Sequence, residues 1–393
     1  MRVAILAGKY AWGGAEQQAR TLVGALDRRH EVVLITTGPE DREFDEGNHR
    51  RIVLRLPGRA YFWHNYWNGS VVRRLGRQLD RINPDVLHFH NVHNRTLSAW
   101  SLLFSRGTPT VWTLHDLWSQ CIWSTPRPIG CEGTLHGCMA CGNMPLLSMV
   151  DRQIKHAVFG ASRLTLVAPC EWLRRRVSRG VLGEKQIEVI PCGVEPGRFE
   201  GISGRAVREK LGVPEDARVV LFAGNMLTNI KGHEDLLRMA RRILATERDV
   251  WFVLVGPHGK LPLRHRQVVF TGRVEPAEMT GYYAAADVFA YPTHGDVFPV
   301  VVLEALASAR PVVTHRIRGL SELPEEGAGV FLVEEHDEGT FEERLRRVIA
   351  DRELARSMGE AGRERVRGFF TVEQQARKTE ALYERVVGRN GKA

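Results

Sequence analysis

Two carboxylates, Asp296 and Glu304, stand in a D-x7-E pattern inside FAYPTHGDVFPVVVLEALASARPVV, a stretch that is otherwise almost wholly apolar. A carboxylate in such surroundings needs solvent, a cation or a ligand to meet it. Lys231, in NMLTNIKGHEDLL, falls just before a helical pattern. A lysine there adds its charge to the helix N-terminus, which suits a pyrophosphate. His115 and Asp116 follow directly on the apolar run PTVWTL, and strand carboxyl ends are where open α/β sheets bind ligands. Gly13 and Gly14 lie between an apolar run and a helical pattern, where backbone without a Cβ lets a phosphate or sugar approach. Each feature also has a plain structural reading: a Glu that reaches solvent or a nearby Arg, a surface lysine, a satisfied histidine, a tight turn.

Four of the six cysteines, Cys121, Cys131, Cys138 and Cys141, form the pattern C-x9-C-x6-C-x2-C. Four thiolates ending in CxxC can hold Zn²⁺ tetrahedrally, a closed structural site with no open position for catalysis. Free or redox-active thiols and disulfides are the other readings. Cys170 and Cys192 stand apart.

The elements that must carry these groups alternate along the chain. RVAILAG, EVVLIT, RIVLRL, DVLHFH, PTVWTL and RLTLVA read as buried strands separated by helix-length segments. CEWLRRRVSRGVLGEKQIEVIPCGVEPGRF adds a helix, a strand and a Pro/Gly turn, with a domain boundary near 193–205. The alternation then restarts with RVVLFAG, a helix from about Gly232, DVWFVLVG, QVVFTG, a helix through EPAEMTGYYAAA, FAYP, a helix opened by Pro299, PVVTH, GVFLV and three helical segments. Strand–helix–strand spacing of this kind makes parallel sheets. The fold class is therefore α/β, with two Rossmann-like parallel-sheet domains facing each other across a cleft and a Cys-rich insertion at about 116–145 in the first. The domains are expected at 1–195 and 196–370, with 371–393 a C-terminal helix crossing back toward the first domain.

A length of 393 residues fits two such domains, and an apolar fraction of 43% fits a soluble globular chain. No run approaches the roughly 18 apolar residues of a membrane span, and the N-terminus reads as a strand and turn rather than a signal peptide. The expected location is cytoplasmic, peripheral at the inner face of the cytoplasmic membrane. The net charge of +9 is uneven: residues 1–195 hold 25 Lys and Arg against 17 Asp and Glu, and the rest hold 30 against 29. A basic first half implies an anionic partner on that side. The segment RAYFWHNYWNGSVVRRLGRQL interleaves Tyr61, Phe62, Trp63, Tyr66 and Trp67 with Arg59, Arg73, Arg74 and Arg77. That composition suits anionic membrane, or else a satellite cluster packed under a loop. No RNP, KH or helix-turn-helix pattern is present, so no nucleic-acid partner is expected. No GxGxxG follows a strand, which argues against a nicotinamide oxidoreductase.

Taken in order, GGAE (Gly13 to Glu16), the HD pair (His115, Asp116), VIPxGVxxxRF (Val189 to Phe199), the KG pair (Lys231, Gly232), YYAAADVFAYP (Tyr282 to Pro292) and D-x7-E with ALASARPVV (Asp296 to Val313) resemble glycosyltransferase family 4. This is a family of retaining enzymes of GT-B fold, and the likeness covers nearly the whole chain. The DVFPVVVLEALA form and the Cys-containing insertion are similar to the subgroup that builds exopolysaccharide and colanic-acid-type surface polysaccharides. The resemblance implies a nucleotide-diphosphate sugar donor, a UDP- or GDP-hexose, and a saccharide or lipid-linked glycan acceptor, with no catalytic metal. It implies that Glu304 accepts hydrogen bonds from the donor ribose, that Asp296 faces the donor sugar, and that Lys231 neutralises the diphosphate. Gly13 and Gly14 would approach phosphate and acceptor, and His115 would lie near the transferred sugar. Three positions depart from the family pattern: Asn225 where Arg is frequent, Cys192 where Asn is frequent, and Asp rather than Glu at 296. Arg273, or Arg316 and Arg318, are candidates to supply the charge missing at 225. That departure also motivates a second reading, a non-catalytic nucleotide-sugar-binding subunit of a glycan assembly complex.

Overall fold

A computed structural model describes residues 1–9, 13–56, 62–93, 97–104, 107–121, 145–259, 263, 265–323 and 329–390. The chain divides into two compact units, Met1–Cys192 with Val372–Ala393, and Gly193–Thr371.

The first unit is built on strands β1 (Arg2–Lys9), β2 (Glu31–Gly38), β3 (Arg42–Glu46), β4 (His49–Arg55), β5 (Val86–Phe89), β6 (Thr110–Thr113), β7 (Leu164–Ala168) and β8 (Gln186–Val189). Helices α1 (Gly14–Leu26), α2 (Gly69–Ile82), α3 (Pro145–Ala161) and α4 (Glu171–Val177) connect them. The sheet order is β3-β4-β2-β1-β5-β6-β7-β8. Val3 lies in register with Val32 of β2 and with Val86 of β5, both neighbours running parallel. The continuous apolar runs are those of strands covered on both faces. In α1, Ala19, Leu22, Val23 and Leu26 recur at helical spacing and are all buried.

One strand departs from the expected parallel sheet. REFDE forms β3, antiparallel to β4 with Phe44 opposite Arg51. Its charged, mostly exposed residues guard the sheet's open edge against pairing with another chain.

The second unit holds α5 (Arg205–Leu211), β9 (Arg218–Ala223), α6 (His233–Leu244), β10 (Val250–Val255), β11 (Val268–Gly272), α7 (Met279–Ala285) and β12 (Val288–Tyr291). It continues through α8 (Val300–Ala307), β13 (Val312–His315), β14 (Val330–Val333), α9 (Glu338–Ala350) and α10 (Arg352–Phe369). Its six strands are all parallel, in the order β11-β10-β9-β12-β13-β14. The last helix, α11 (Val372–Asn390), belongs to the first unit, where Ala376, Leu382, Tyr383 and Val386 join the core formed by β1, β2 and α1.

Among the parallel strands of each sheet the order reverses at one point, between β1 and β5 in the first and between β9 and β12 in the second. In open α/β sheets the connecting loops diverge at such a point, and ligands bind beyond the strand carboxyl ends. No helix among the described residues is long and apolar enough to cross a membrane.

Candidate active site

In the second unit the reversal point is flanked by the loops leaving β9 and β12. The β9 loop runs through a single 3-10 turn, Asn229–Lys231, and hands over to α6 at Gly232. Gly232 has φ +75, and a Cβ there would run into the Pro292 carbonyl, so only glycine lets this turn press against the exit of β12. Two further contacts fasten the loops: the His294 amide donates to Ile230 O at 2.8 Å, and Thr293 Oγ1 packs 3.1 Å from the same oxygen. This seam brings Lys231 Nζ onto Asp296 Oδ1. On the other carboxylate oxygen, Asp296 accepts from Tyr291 OH at 2.5 Å and from Thr293 Oγ1 at 3.0 Å. Burial alone would raise the Asp296 carboxyl; the Lys231 charge and these bonds outweigh it and hold the group below the usual aspartate value.

Glu304 sits in the middle of α8, among Val302, Leu303, Ala305 and Leu306, all buried. Its Oε2 accepts from Tyr283 OH at 2.8 Å, and Oε1 has no hydrogen bond among the described residues. Burial raises the Glu304 carboxyl above the ordinary glutamate value, against the opposing effects of Tyr283 and the Arg198 charge. Two tyrosines from neighbouring elements, Tyr283 of α7 and Tyr291 of β12, thus hold the two carboxylates, and both phenols are raised well above their ordinary value, first by burial and then by those carboxylates.

The three candidate arginines differ. Arg316 Nε pairs with Glu334 at 3.1 Å, and Arg318 Nη1 donates to the His294 carbonyl at 2.7 Å. Arg273 is exposed immediately after β11, two strand positions from β9. The Asn225 side chain accepts from the Leu227 amide at 2.9 Å, closing a turn at the head of the Lys231 loop.

In the first unit, Gly13 caps α1 and Gly14 is its first residue. The Glu16 carboxylate lies where a Cβ on Gly13 would sit, whereas a Cβ on Gly14 would meet open space. Glu16 Oε1 accepts from Asn91 Nδ2 at 3.2 Å, tying the α1 start to the loop after β5, again across a reversal point. His115 and Asp116 follow β6. His115 Nε2 lies 2.9 Å from His90 Nδ1, and Asp116 Oδ2 lies 3.0 Å from His93 Nε2, with His93 stacked on Trp118. Asp116 Oδ1 accepts from the Trp118 amide at 2.8 Å. Burial works to raise Asp116, but His93 and that amide win and lower it. Behind this pair, His88 is bonded to Tyr383 OH at 2.6 Å and to Thr113 Oγ1 at 2.7 Å.

Burial pushes His88 down to about 3, His115 to about 4, and His90 well below the ordinary histidine value. These rings are neutral in the fold but bind protons in the unfolded chain below pH 6.5. Their stabilising contribution is therefore complete above that value and falls away as pH drops from 6.5 toward about 4. Denaturant titrations followed by tryptophan fluorescence, which reports mainly on the first unit because Trp251 is the single Trp outside it, are expected to show unfolding free energy declining over that interval. A free energy unchanged between about pH 7.5 and 5 contradicts neutral burial of these rings.

Cys131, Cys138 and Cys141 lie outside the described residues, as does most of the 116–145 insertion; Cys121 is the one member of that group within them. Of the aromatic–arginine segment, Arg59 and Tyr61 lie outside the described residues, as do the side chains of Phe62 and Trp63. Tyr66 is buried, with its hydroxyl 2.5 Å from Asp151, and so belongs to the core rather than to a surface patch. Trp67 is half exposed, edge-on to Trp100 at 5.1 Å, and Arg74 of α2 is held by Asp41. The supporting residues Tyr283, Tyr291, Thr293, Asn91 and Tyr383 had no individual signal in the sequence, because each acts through a partner brought to it by the fold.

Residues 12–198 match the family model described as Glycosyltransferase Family 4, and residues 217–351 match the one described as Glycosyl transferases group 1. Among curated proteins, the chain is 28% identical over 285 residues to D-inositol 3-phosphate glycosyltransferase 1 of Catenulispora acidiphila, covering 68% of this chain and 64% of that protein. It thus spans just under two thirds of that relative's length. It is 33% identical over 336 residues to the D-inositol 3-phosphate glycosyltransferase of Corynebacterium diphtheriae, covering 81% of this chain and 77% of that one. Among solved structures, Anabaena HepE in complex with UDP-glucose superposes with a TM-score of 0.70 at 17% identity, covering 97% of this chain and 99% of that one.

Proposed function

The chain belongs to glycosyltransferase family 4, and from that premise we propose that it is a retaining hexosyltransferase drawing on a nucleotide-diphosphate sugar. The observation that carries this reading is the meeting of Lys231 and Asp296 at the reversal point of the second sheet, on the edge where α8 carries Glu304. Cleaving a glycosyl phosphate bond leaves negative charge on the diphosphate. Lys231, at the start of α6, adds a full charge to the helix dipole aimed at that charge, and so lowers the barrier without a catalytic metal. Asp296 orients the ammonium. Glu304 Oε1 is the acceptor for the donor ribose hydroxyls. Retention then follows from attack on the face the diphosphate leaves, with no carboxylate nucleophile, so Asp296 and Glu304 are not a glycosidase pair.

In the first unit, Gly14, with open space where a Cβ would sit, admits phosphate or acceptor at the head of α1, the Glu16 carboxylate fills that space at Gly13, and His115 serves the transferred sugar. The basic character of residues 1–195 suits an anionic acceptor. Two acceptor classes have support. The motif form and the Cys-containing segment favour a lipid-linked glycan of bacterial surface polysaccharide assembly. The names of the curated relatives favour an inositol phosphate. Incubation with UDP- and GDP-hexoses and both acceptor classes is expected to release nucleoside diphosphate with one donor and one class. Donor binding without turnover across the whole panel supports instead a non-catalytic binding subunit, and no donor binding at all rejects the proposal.

A further inference from the structure

The loops leaving β12 and β14 bring together three side chains that the transfer reaction does not use: His294, Glu335 and His336, whose ligand-type atoms all lie within 4.8 Å of one another. We propose that they form a site for one divalent transition-metal ion of the zinc class, bound by His294 Nδ1, a Glu335 oxygen and His336 Nε2, with the fourth position left to water.

The geometry is close to that of a bound site. His294 Nδ1 lies 3.1 Å from Glu335 Oε1, and His336 Nε2 lies 3.8 Å from the same oxygen. Nitrogen and oxygen ligands at about 2.0–2.2 Å around a tetrahedral ion stand roughly 3.3–3.6 Å apart. Only His336 has to move appreciably, and its side chain is 58% exposed. The other nitrogen of His294 is already committed: Nε2 faces Asp235 Oδ2 at 2.5 Å. A carboxylate behind a ligating imidazole fixes its tautomer and ring plane and makes the free nitrogen a better donor. The ion would take the place of the Nδ1 proton, which leaves to solvent.

Three observations set this cluster apart from ordinary surface charge. Three neighbouring glutamates take arginine partners, Glu334 with Arg316, Glu338 with Arg238 and Arg242, and Glu342 with Arg242, while Asp337 caps the next helix. Glu335 has none among the described residues and faces two imidazoles instead. His336 is a non-glycine residue at φ +72, an uncommon backbone state. That state stacks its ring on His294, at 5.3 Å between centroids and 17° between planes. The site is composed of nitrogen and oxygen ligands, which suits borderline divalent ions, and it is separate from the clustered cysteines in chemistry and in chain position. It stands independently of the donor, acceptor and activity proposed above.

The test uses tag-free, metal-stripped full-length protein titrated with Zn²⁺ against a competing chelator, and with Co²⁺ followed by absorption. His336→Asn removes one ligand while keeping a residue that tolerates the left-handed backbone; Glu335→Gln is the second variant. Wild type is expected to bind one Zn²⁺ that each variant binds at least about tenfold more weakly. The corresponding Co²⁺ spectrum is expected to lack thiolate-to-metal charge transfer. Equal stoichiometry and affinity in wild type and both variants, or thiolate charge transfer in the lost equivalent, overturns the site.

Discussion

Lys231→Ala is expected to lower kcat for sugar transfer by about 10²–10³-fold, the scale on which removal of one transition-state charge partner acts. The ammonium is held on Asp296 by the seam between the β9 and β12 loops, so its position does not depend on the donor to order it. Charge on the departing diphosphate grows only as the glycosyl bond breaks, which is why the loss falls mainly on kcat rather than on donor binding. The substitution also strands Asp296, which among the described residues then keeps the Tyr291 and Thr293 hydroxyls, at a cost of about 1–3 kcal/mol in stability. The double variant Lys231→Ala/Asp296→Asn separates the two effects. It should recover most of the thermal stability and none of the turnover. Turnover within a few-fold of wild type in Lys231→Ala would remove the ammonium from the mechanism.

Glu304→Ala is expected to act on the other end of the donor. A half-buried carboxylate accepting from ribose hydroxyls makes charge-assisted bonds worth about 1.5–3 kcal/mol each, so donor affinity should fall by about 10²-fold or more. Wild type should prefer a nucleoside diphosphate with both ribose hydroxyls over its 2′- or 3′-deoxy analogue, and Glu304→Ala should bind all three alike. Glu304→Gln, which keeps one acceptor oxygen, should fall between. The Tyr283 hydroxyl loses its partner in the Ala variant, so stability is measured alongside, with Glu304→Ala/Tyr283→Phe as the compensated control. Equal discrimination among the three nucleotides by wild type and Glu304→Ala would sink the ribose assignment.

The alternation of apolar runs and helix-length segments was enough to read two parallel sheets, because strands covered on both faces must be apolar throughout. Glu304 stands out for a local reason, since a carboxylate breaks the apolar pattern of its helix, whereas Lys231, Gly232 and Asp296 sit in turns and gain weight only from their place among the strands of one sheet. REFDE carries no strand signature, because four charged residues around one Phe lack apolar alternation; an edge strand is selected for its charge rather than its burial. Tyr283 and Tyr291 have the sequence signature of core, as aromatic residues in a buried helix and strand do, and only the fold turns their hydroxyls to carboxylates. His88 and Tyr383 are 295 residues apart, and no periodicity reaches over that distance.

That last pairing has a consequence for how the protein is made. The second unit, 193–371, interrupts the first, and the helix that completes the first unit's core comes after it in the chain. During synthesis every strand of the first sheet therefore leaves the ribosome before its final covering helix exists. Throughout translation of the second unit, the β1–β2–α1 face lacks Ala376, Leu382, Tyr383 and Val386, and the His88 imidazole waits without its phenol. The first unit is begun first and finished last, with its apolar face left open during the interval when a nascent chain is most exposed to chaperones and to neighbouring copies.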